Sequence, residues 1–227
     1  RSNQNRLADG ASQRRTNHHM RNNQVGSRYN SPRSAGRGNN HPTNQAVTKT
    51  LQDPDHIANL ITDGAPTFKH AEIIISRTEY EFWSGNAAIP DFRGPTRQMF
   101  QEIVVPLADR CRFIEPDASI IDGLTALNAF GHSAGHMAFH VESDGKELMI
   151  LSDTIAHYAV SLANLEWQFS MDDNPEMAVE SRKRIVGMAA ASKAPIIAFH
   201  MPFPSVGYIE QSGNSYRWTP ATYQLNL

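Results

Sequence analysis

The sequence predicts a mixed α/β domain of layered sheets and helices, preceded by a disordered N-terminal tail. Residues 1–46 are rich in Asn, Arg, Ser, Gly and Gln and contain almost no aliphatic side chains. Such a segment cannot bury enough apolar surface to offset the entropy lost on ordering. Beyond it, apolar runs of strand length alternate with segments of helical periodicity, which is typical of stacked α/β layers. The 227 residues therefore divide into a tail, 1–46, and a globular part, 47–227.

Charge is distributed in agreement with this division. Through Lys49 the chain carries nine basic residues and one acid, so the near-neutral total of −2 combines a basic tail with an acidic globular part. Arginines alone allow weak contact with nucleic acid, but Tyr29 is the only aromatic side chain in the tail that could stack on a base. A solvated tail is therefore favoured over an RNA-binding arm, whose binding would be strongly salt-dependent.

The single cysteine, Cys111, excludes a disulfide within the chain. No apolar run approaches the length of a membrane span, so no membrane partner is expected. No signal peptide is visible, and the location stays open between cytoplasmic and secreted.

The first half of the globular part predicts short elements in quick succession. Residues 54–61 predict a short helix with Ile57, Leu60 and Ile61 buried. Residues 71–76 predict a buried strand and 77–83 a helical turn. Residues 95–109 predict one helix whose apolar face includes Met99, Ile103, Val104 and Leu107, and short β segments are expected from 111 to 130.

The second half contains the clearer patterns. Strands are expected at 137–142 and 147–152, joined by the hairpin turn Ser-Asp-Gly-Lys at 143–146. Residues 175–191 predict a helix capped by Asp173 or Asn174, with Met177, Ile185 and Met188 on its apolar side. A buried strand at 195–200 and an antiparallel pair at 207–211 and 216–219 complete the prediction.

Potential metal ligands recur just beyond the apolar segments. They are Asp55, His56, His132, Asp153 and His200. Imidazole and carboxylate ligands suit a borderline divalent ion such as zinc. Taken singly, Asp55 could cap a helix, His56 could be an exposed helix residue, Asp153 could be a turn carboxylate and His200 could be a core histidine. Their occurrence together favours a metal site. His136 and His140 are expected to be packed or to support ligands, and His157 is expected to line the pocket or cap a helix.

Four motifs carry a resemblance to a known family. They are TLQDPDH at 50–56, FGHSAGHMAFHV at 130–141, LMILSD at 148–153 and AFHMPFP at 198–204. In order and spacing they resemble the metallo-β-lactamase-fold hydrolases, which have a His-x-His-x-Asp-His loop, a Gly-His turn, an Asp at a strand end and a late His. The resemblance implies a partial αββα sandwich between residues 50 and 218.

The resemblance also implies roles. Asp55, His56 and His200 match the ligands of the second metal site, Asp153 the bridging carboxylate, and His132 the third histidine of the first site. Asp55 and Asp153 would then be the catalytic carboxylates. The implied cofactor is zinc, as one or two ions with one favoured. The implied activity is hydrolysis of an ester, lactone or amide-like bond in a small molecule through a metal-bound water.

Two departures from the family leave an alternative open. The first two motif histidines fall on Leu51 and Asp53, so a three-histidine first site cannot form and that site is expected to be impaired. Only the tail precedes Thr50, where family members place several strands. The alternative is thus a non-catalytic, truncated derivative of the family, and the sequence does not decide whether the chain is an active enzyme. Apolar surface left without its cover would favour self-association.

Overall fold

A seven-stranded sheet forms the scaffold of the protein. The computed structural model describes residues 49–51, by their backbone alone, and residues 57–221. From one edge to the other, this sheet consists of β12 (Ser215–Pro220), β11 (Val206–Ser212), β10 (Ile196–Ala198), β9 (Lys146–Ser152), β8 (Met137–Ser143), β7 (Leu124–Asn128) and β6 (Ser119–Ile121). Neighbouring strands are antiparallel except β9 and β10, which are parallel. The predicted tail and the predicted ligands Asp55 and His56 lie outside the described residues.

A smaller sheet is parallel throughout. Its three strands are β1 (Lys49–Leu51), β4 (Ile73–Ser76) and β5 (Cys111–Ile114), with β4 in the centre. A separate two-stranded ribbon pairs β2 (Ile61–Thr62) with β3 (Ala65–Pro66). All four residues of β4 are buried, as expected for a central parallel strand that is covered on both faces.

Four α-helices accompany the sheets in the described part of the chain. They are α1 (Arg77–Ser84), α2 (Gly94–Ile103), α3 (Val160–Ala163) and α4 (Pro175–Ser192). Short 3₁₀ segments lie at Ala58–Leu60, Asp91–Arg93 and Val105–Arg110. None of the described helices is long and apolar enough to cross a membrane.

Three apolar clusters define the order of the layers. Ile73 and Ile75 pack with Trp83 and Phe100 on the helical side of the small sheet. Ile74, which points to the opposite face because strand side chains alternate, belongs to a cluster with Ala126, Met137 and Phe139 of the large sheet. The other face of the large sheet packs against Ile185, Val186 and Ala189 of α4. The result is an αββα arrangement, as the family resemblance implies.

Three predicted helices differ from the structure in their length, their type or their buried face. The helix expected over 95–109 ends at Ile103, because Pro106 has no N–H to continue the hydrogen-bond ladder. The helix expected over 54–61 is, within the described residues, a 3₁₀ turn. In α4, Ile185 is buried as predicted, but Met177 and Met188 are exposed and Ala178, Val179 and Ala189 are buried. Small side chains let this helix approach the sheet closely, and the periodicity of large apolar residues therefore misplaced its buried face.

Cys111, at the start of β5, is held in a protonated state. Its thiol donates to the carbonyl oxygen of Leu107 at 3.3 Å. Burial, together with the negative charge of Asp109, raises the pKa of Cys111 to about 11. Because the thiolate is the metal-binding and nucleophilic form, this side chain is withheld from both kinds of chemistry at neutral pH.

A pH-dependence follows for alkylation of Cys111. At pH 8 we expect iodoacetamide to react with the native chain about tenfold more slowly than with glutathione. The thiolate fraction of Cys111 is about 10²-fold lower than that of glutathione, and the higher nucleophilicity of its thiolate partly offsets this difference. The rate should continue to rise beyond pH 9, and denaturation should restore the glutathione rate. An inflection near pH 8.5 in the native chain would contradict the buried, protonated thiol.

Candidate metal centre

Asp153 and His200 meet at one edge of the large sheet. Asp153 directly follows β9 and His200 lies two residues after β10. Because β9 and β10 are parallel neighbours, their carboxyl ends lie at the same edge. The Nε2 atom of His200 is 2.9 Å from Oδ1 of Asp153, whose side chain is only 5% exposed while that of His200 is 55% exposed. His200 is therefore not a core histidine: its imidazole is open to solvent on one side and contacts a buried carboxylate on the other.

The backbone around Asp153 is arranged to present its side chain. Ser152 has a φ of 51°, a left-handed conformation that turns the chain out of β9. The hydroxyl of Ser152 donates to the carbonyl of Met137 at 3.2 Å, and the N–H of Asp153 points to Nε2 of His136 at 3.3 Å. These contacts fix the end of β9 and the position of Asp153 directly after it.

His136 is a buried support for the site. Its Nδ1 lies 3.0 Å from the carbonyl oxygen of Ala129 and its Nε2 faces the N–H of Asp153. A carbonyl only accepts and an N–H only donates, so Nδ1 carries the proton and Nε2 accepts. With both nitrogens occupied inside the protein, His136 is packed rather than a metal ligand, as predicted. His140, by contrast, lies near Glu147 at 3.7 Å, partly exposed on the sheet.

His132 lies in the turn between β7 and β8. The turn is closed by a hydrogen bond from the N–H of Gly131 to the carbonyl of Ser133. The ring of His132 is 5.3 Å from the ring of His136, centroid to centroid. Its Nδ1 lies 3.1 Å from Oδ1 of Asp172. His136 therefore links the turn that carries His132 to the strand end that carries Asp153.

Two adjacent aspartates secure this turn, and each is paired with a buried arginine. Asp172 contacts Arg182 of α4 at 3.5 Å, and Asp173 contacts Arg93 at 2.7 Å. The N–H of Asp173 also donates to the carbonyl of His132 at 3.1 Å. Burial lowers the pKa of Arg182, and the neighbouring charge of Asp172 opposes that shift. The guanidinium remains charged, because arginine titrates far above neutral pH.

Glu79 of α1 holds the far end of the same turn. Its Oε2 accepts from the N–H of Gly135 at 2.5 Å, and its Oε1 accepts from the indole N–H of Trp83 at 3.1 Å. Glu79 is 1% exposed, so this carboxylate is a fixed internal anchor. It ties the layer of α1 to the segment that carries His132.

A cavity lies beside the turn that carries His132. It has a volume of about 320 Å³ and adjoins His132 through Gly131 on one side and Asp173 on the other. Most of its remaining walls are apolar and come from three segments. The lining includes Phe82, Ile89, Pro90, Ala134 and Met177. A mainly apolar pocket with a few polar groups at one end is the usual form of a small-molecule site.

The predicted ligands are brought together in part. Asp153 and His200 are in contact, and His132 is joined to them through His136. Within residues 57–221 no three His, Cys, Asp or Glu side chains form a metal-binding group, and Asp55 and His56 fall outside the described residues. The donor chemistry of the described pair fits a zinc-type ion, since a buried carboxylate and an accessible imidazole Nε2 are both ligands that such an ion takes.

Four supporting residues were not predicted from the sequence: Asp172, Arg182, Arg93 and Glu79. Asp172 had a signal in the sequence, the Asp-Asp pair at 172–173 just before the start of α4. His157 is a helix cap, since its Nδ1 accepts from the N–H groups of Ala159 and Val160 at 3.2 and 3.1 Å. It therefore fulfils one of the two roles expected of it.

Comparison with known proteins gives matches among solved structures only. No family model matches the chain, and no curated protein does. AidC, described as a dizinc quorum-quenching lactonase in complex with the product N-hexanoyl-L-homoserine, is 24% identical with a TM-score of 0.72, covering 78% of this chain and 64% of that one. AbOPH, a hydrolase in the beta lactamase superfamily, is 24% identical with a TM-score of 0.71, covering 78% and 65%.

A third solved structure has the same architecture at lower identity. It is described as a probable metal-dependent hydrolase from Staphylococcus aureus and is 16% identical with a TM-score of 0.61. The match covers 77% of this chain and 63% of that one. The chain thus spans less than two thirds of the length of each of these three structures. At such identities the likeness establishes the fold.

Proposed function

We propose that this chain, which has the metallo-β-lactamase fold, is a metal-dependent hydrolase that cleaves an ester, lactone or amide-like bond in a small molecule. The observation that carries the proposal is the contact between Asp153 and His200 at the shared carboxyl end of β9 and β10. In such sheets, ligand and catalytic groups gather where strands end and loops begin. The three similar structures, described as a dizinc lactonase, a hydrolase and a probable metal-dependent hydrolase, support the same reaction class.

The residues have separate roles in this proposal. Asp55, His56, Asp153 and His200 would hold one divalent ion, zinc by their donor chemistry, and His132 beside them would be a further ligand. An ion bound there supplies a nucleophile by lowering the pKa of water to about 7. Asp153 contributes a buried negative charge, and the open face of His200 leaves room for a substrate. His136 and Asp172 fix the positions of the side chains around them.

The adjoining cavity indicates which end of a substrate is apolar. Its walls include Phe82, Ile89 and Met177, and it opens beside the turn that carries His132. A molecule with a hydrolysable bond at the site and an aliphatic group in the cavity would fit both features. An acylated lactone has this composition. N-hexanoyl-L-homoserine, the product bound to AidC, carries an aliphatic acyl group of this kind.

The direct test combines metal content with hydrolysis. The full chain is purified without chelators, and we expect about one zinc per chain and hydrolysis of N-hexanoyl-homoserine lactone that chelation abolishes and added zinc restores. An aryl ester and a β-lactam serve as alternative substrates. Absence of saturable zinc binding would overturn the proposal in favour of the non-catalytic derivative, which the substitution by Leu51 at a motif histidine favours.

A cavity-filling substitution tests the position of the substrate. Ala134→Leu adds volume to the cavity, so we expect KM for a long-chain acyl lactone to rise about tenfold, a loss of about 1–3 kcal/mol from apolar binding, with kcat little changed. Ala190→Leu is the matched control, because Ala190 lines a different cavity beside β11. Equal effects of the two substitutions, or an unchanged KM for Ala134→Leu, would place the apolar group elsewhere.

A further inference from the structure

We infer that Asp172 is a positioning residue that sets the tautomer and orientation of His132, with Arg182 holding its carboxylate in place. The inference rests on the proposed function, because it concerns how a metal ligand is presented. Asp172 is distant from every predicted ligand in sequence, the closest being Asp153. The structure nevertheless places its Oδ1 3.1 Å from Nδ1 of His132.

The contact determines which nitrogen of His132 carries the proton. An ionised carboxylate only accepts hydrogen bonds, so Nδ1 must carry the proton and Nε2 is left with its lone pair. Neutral imidazole in that tautomer is a metal ligand through Nε2. Carboxylates that accept from the other ring nitrogen of a metal-binding histidine commonly fix its tautomer and ring plane in this way.

Arg182 holds the carboxylate of Asp172 in place. Its Nη2 lies 3.5 Å from Oδ2 of Asp172, and the two side chains are 3% and 2% exposed. Its remaining N–H groups donate to main-chain carbonyls that come from outside α4. These are the carbonyls of Thr154 at 3.1 Å, Leu165 at 3.1 Å and Trp167 at 2.7 Å. The guanidinium thus fastens Asp172 to the segment that follows Asp153.

Asp173 provides an internal control. It is adjacent to Asp172, is also paired with a buried arginine, and also contacts His132. Its N–H, however, donates to the backbone carbonyl of His132 rather than to the imidazole. Replacing either aspartate by asparagine removes one buried negative charge beside one buried arginine. In the described contacts, only replacement of Asp172 changes the partner of the imidazole.

The test reads the tautomer directly by ¹⁵N NMR of the imidazoles in the metal-free, full-length chain. In the unsubstituted chain we expect the His132 signals, identified by their loss in His132→Gln, to report a proton on Nδ1. In Asp172→Asn the amide oxygen faces Arg182 and the amide NH₂ faces His132, so the proton should move to Nε2. Asp173→Asn should retain the original pattern.

Metal affinity is the second readout. For zinc, measured by competition with a chromogenic chelator, we expect Asp172→Asn to weaken binding about 10- to 100-fold and Asp173→Asn to change it by less than about threefold. A proton on Nε2 of His132 in the unsubstituted chain, or equal losses for both variants, would overturn the inference. The tautomer measurement requires neither metal nor a variant at Asp172, so it decides this inference even if the proposed hydrolase activity fails.

Discussion

Replacing Asp153 by asparagine is expected to lower metal-dependent hydrolysis about 10²- to 10³-fold, because a bound metal contributes several kcal/mol to transition-state stabilisation and each 1.36 kcal/mol is a factor of ten. Asparagine has almost the same shape, so the fold around β9 is retained. The variant lacks the negative charge, and its amide oxygen is a poorer ligand for a divalent ion. Its NH₂ group could also be directed at Nε2 of His200, which lies 2.9 Å from Oδ1 of Asp153.

The measurement for Asp153→Asn is zinc per chain together with kcat/KM for the best lactone or ester substrate. Asp144→Asn is the matched control, since Asp144 lies in the hairpin turn between β8 and β9 with a φ of 51° that asparagine also tolerates. We expect the control to keep the zinc content and rate of the unsubstituted chain. Full zinc content and activity in Asp153→Asn would remove Asp153 from the site, whatever the reaction proves to be.

The strand ends that carry the site could be predicted from the sequence, and the reason is local. The apolar runs before Asp153 and His200 identify both strands. Asp153 directly follows the end of β9, whereas β10 ends at Ala198, two residues before His200. That these two ends are neighbours required the resemblance between motifs, because a sequence pattern does not indicate which strands pair. In the structure β9 and β10 pair in parallel, and this pairing brings Asp153 and His200 into contact.

The residues that support the ligands could not be predicted in the same way. Arg182 lies on the buried face of α4, where periodicity alone would expect an apolar side chain. Its burial is satisfied by carbonyls of the chain between Thr154 and Trp167, so it depends on tertiary structure rather than on neighbours in the helix. Glu79 is similar, since its partner Gly135 belongs to a different layer. Buried charges of this kind can be recognised only from the tertiary structure, because their partners belong to distant segments of the chain.

Some predictions remain predictions. Asp55 and His56 lie outside the described residues, as does the tail that the sequence predicts to be disordered, and self-association through apolar surface stays a prediction. Asp55 and His56 matter most for the proposed chemistry, because the described pair of Asp153 and His200 supplies only two ligands. The measured zinc content therefore tests the predicted roles of Asp55 and His56 as directly as those of Asp153 and His200.

The second large effect is expected for Gly131→Ala, at the residue before His132. Gly131 has a φ of 125°, and a Cβ there would lie 2.1 Å from the backbone nitrogen of Ala178. The N–H of Asn174, the cap of α4, donates to the Gly131 carbonyl at 2.9 Å, so this helix start is docked on the glycine. Backbone strain of about 1–3 kcal/mol and steric overlap of about 1–3 kcal/mol together predict a loss of about 4 kcal/mol in the free energy of unfolding.

Thermal unfolding of the full-length chain measures this loss, and we expect Tm to fall by about 10 °C, given about 2–4 °C per kcal/mol for a domain of this size. Gly145→Ala is the control: Gly145 also has a positive φ, 70°, but a Cβ there meets no atom within 4 Å, so that variant carries only the cost of an L-residue in a left-handed turn, about 1 kcal/mol. The difference between the two variants isolates the collision with α4.

Because the collision displaces the turn that carries His132, zinc affinity should fall with stability in Gly131→Ala and stay unchanged in Gly145→Ala. Equal melting temperatures for the two variants would mean that α4 does not begin against Gly131, and the positions assigned to Asp172 and His132 would then fail as well.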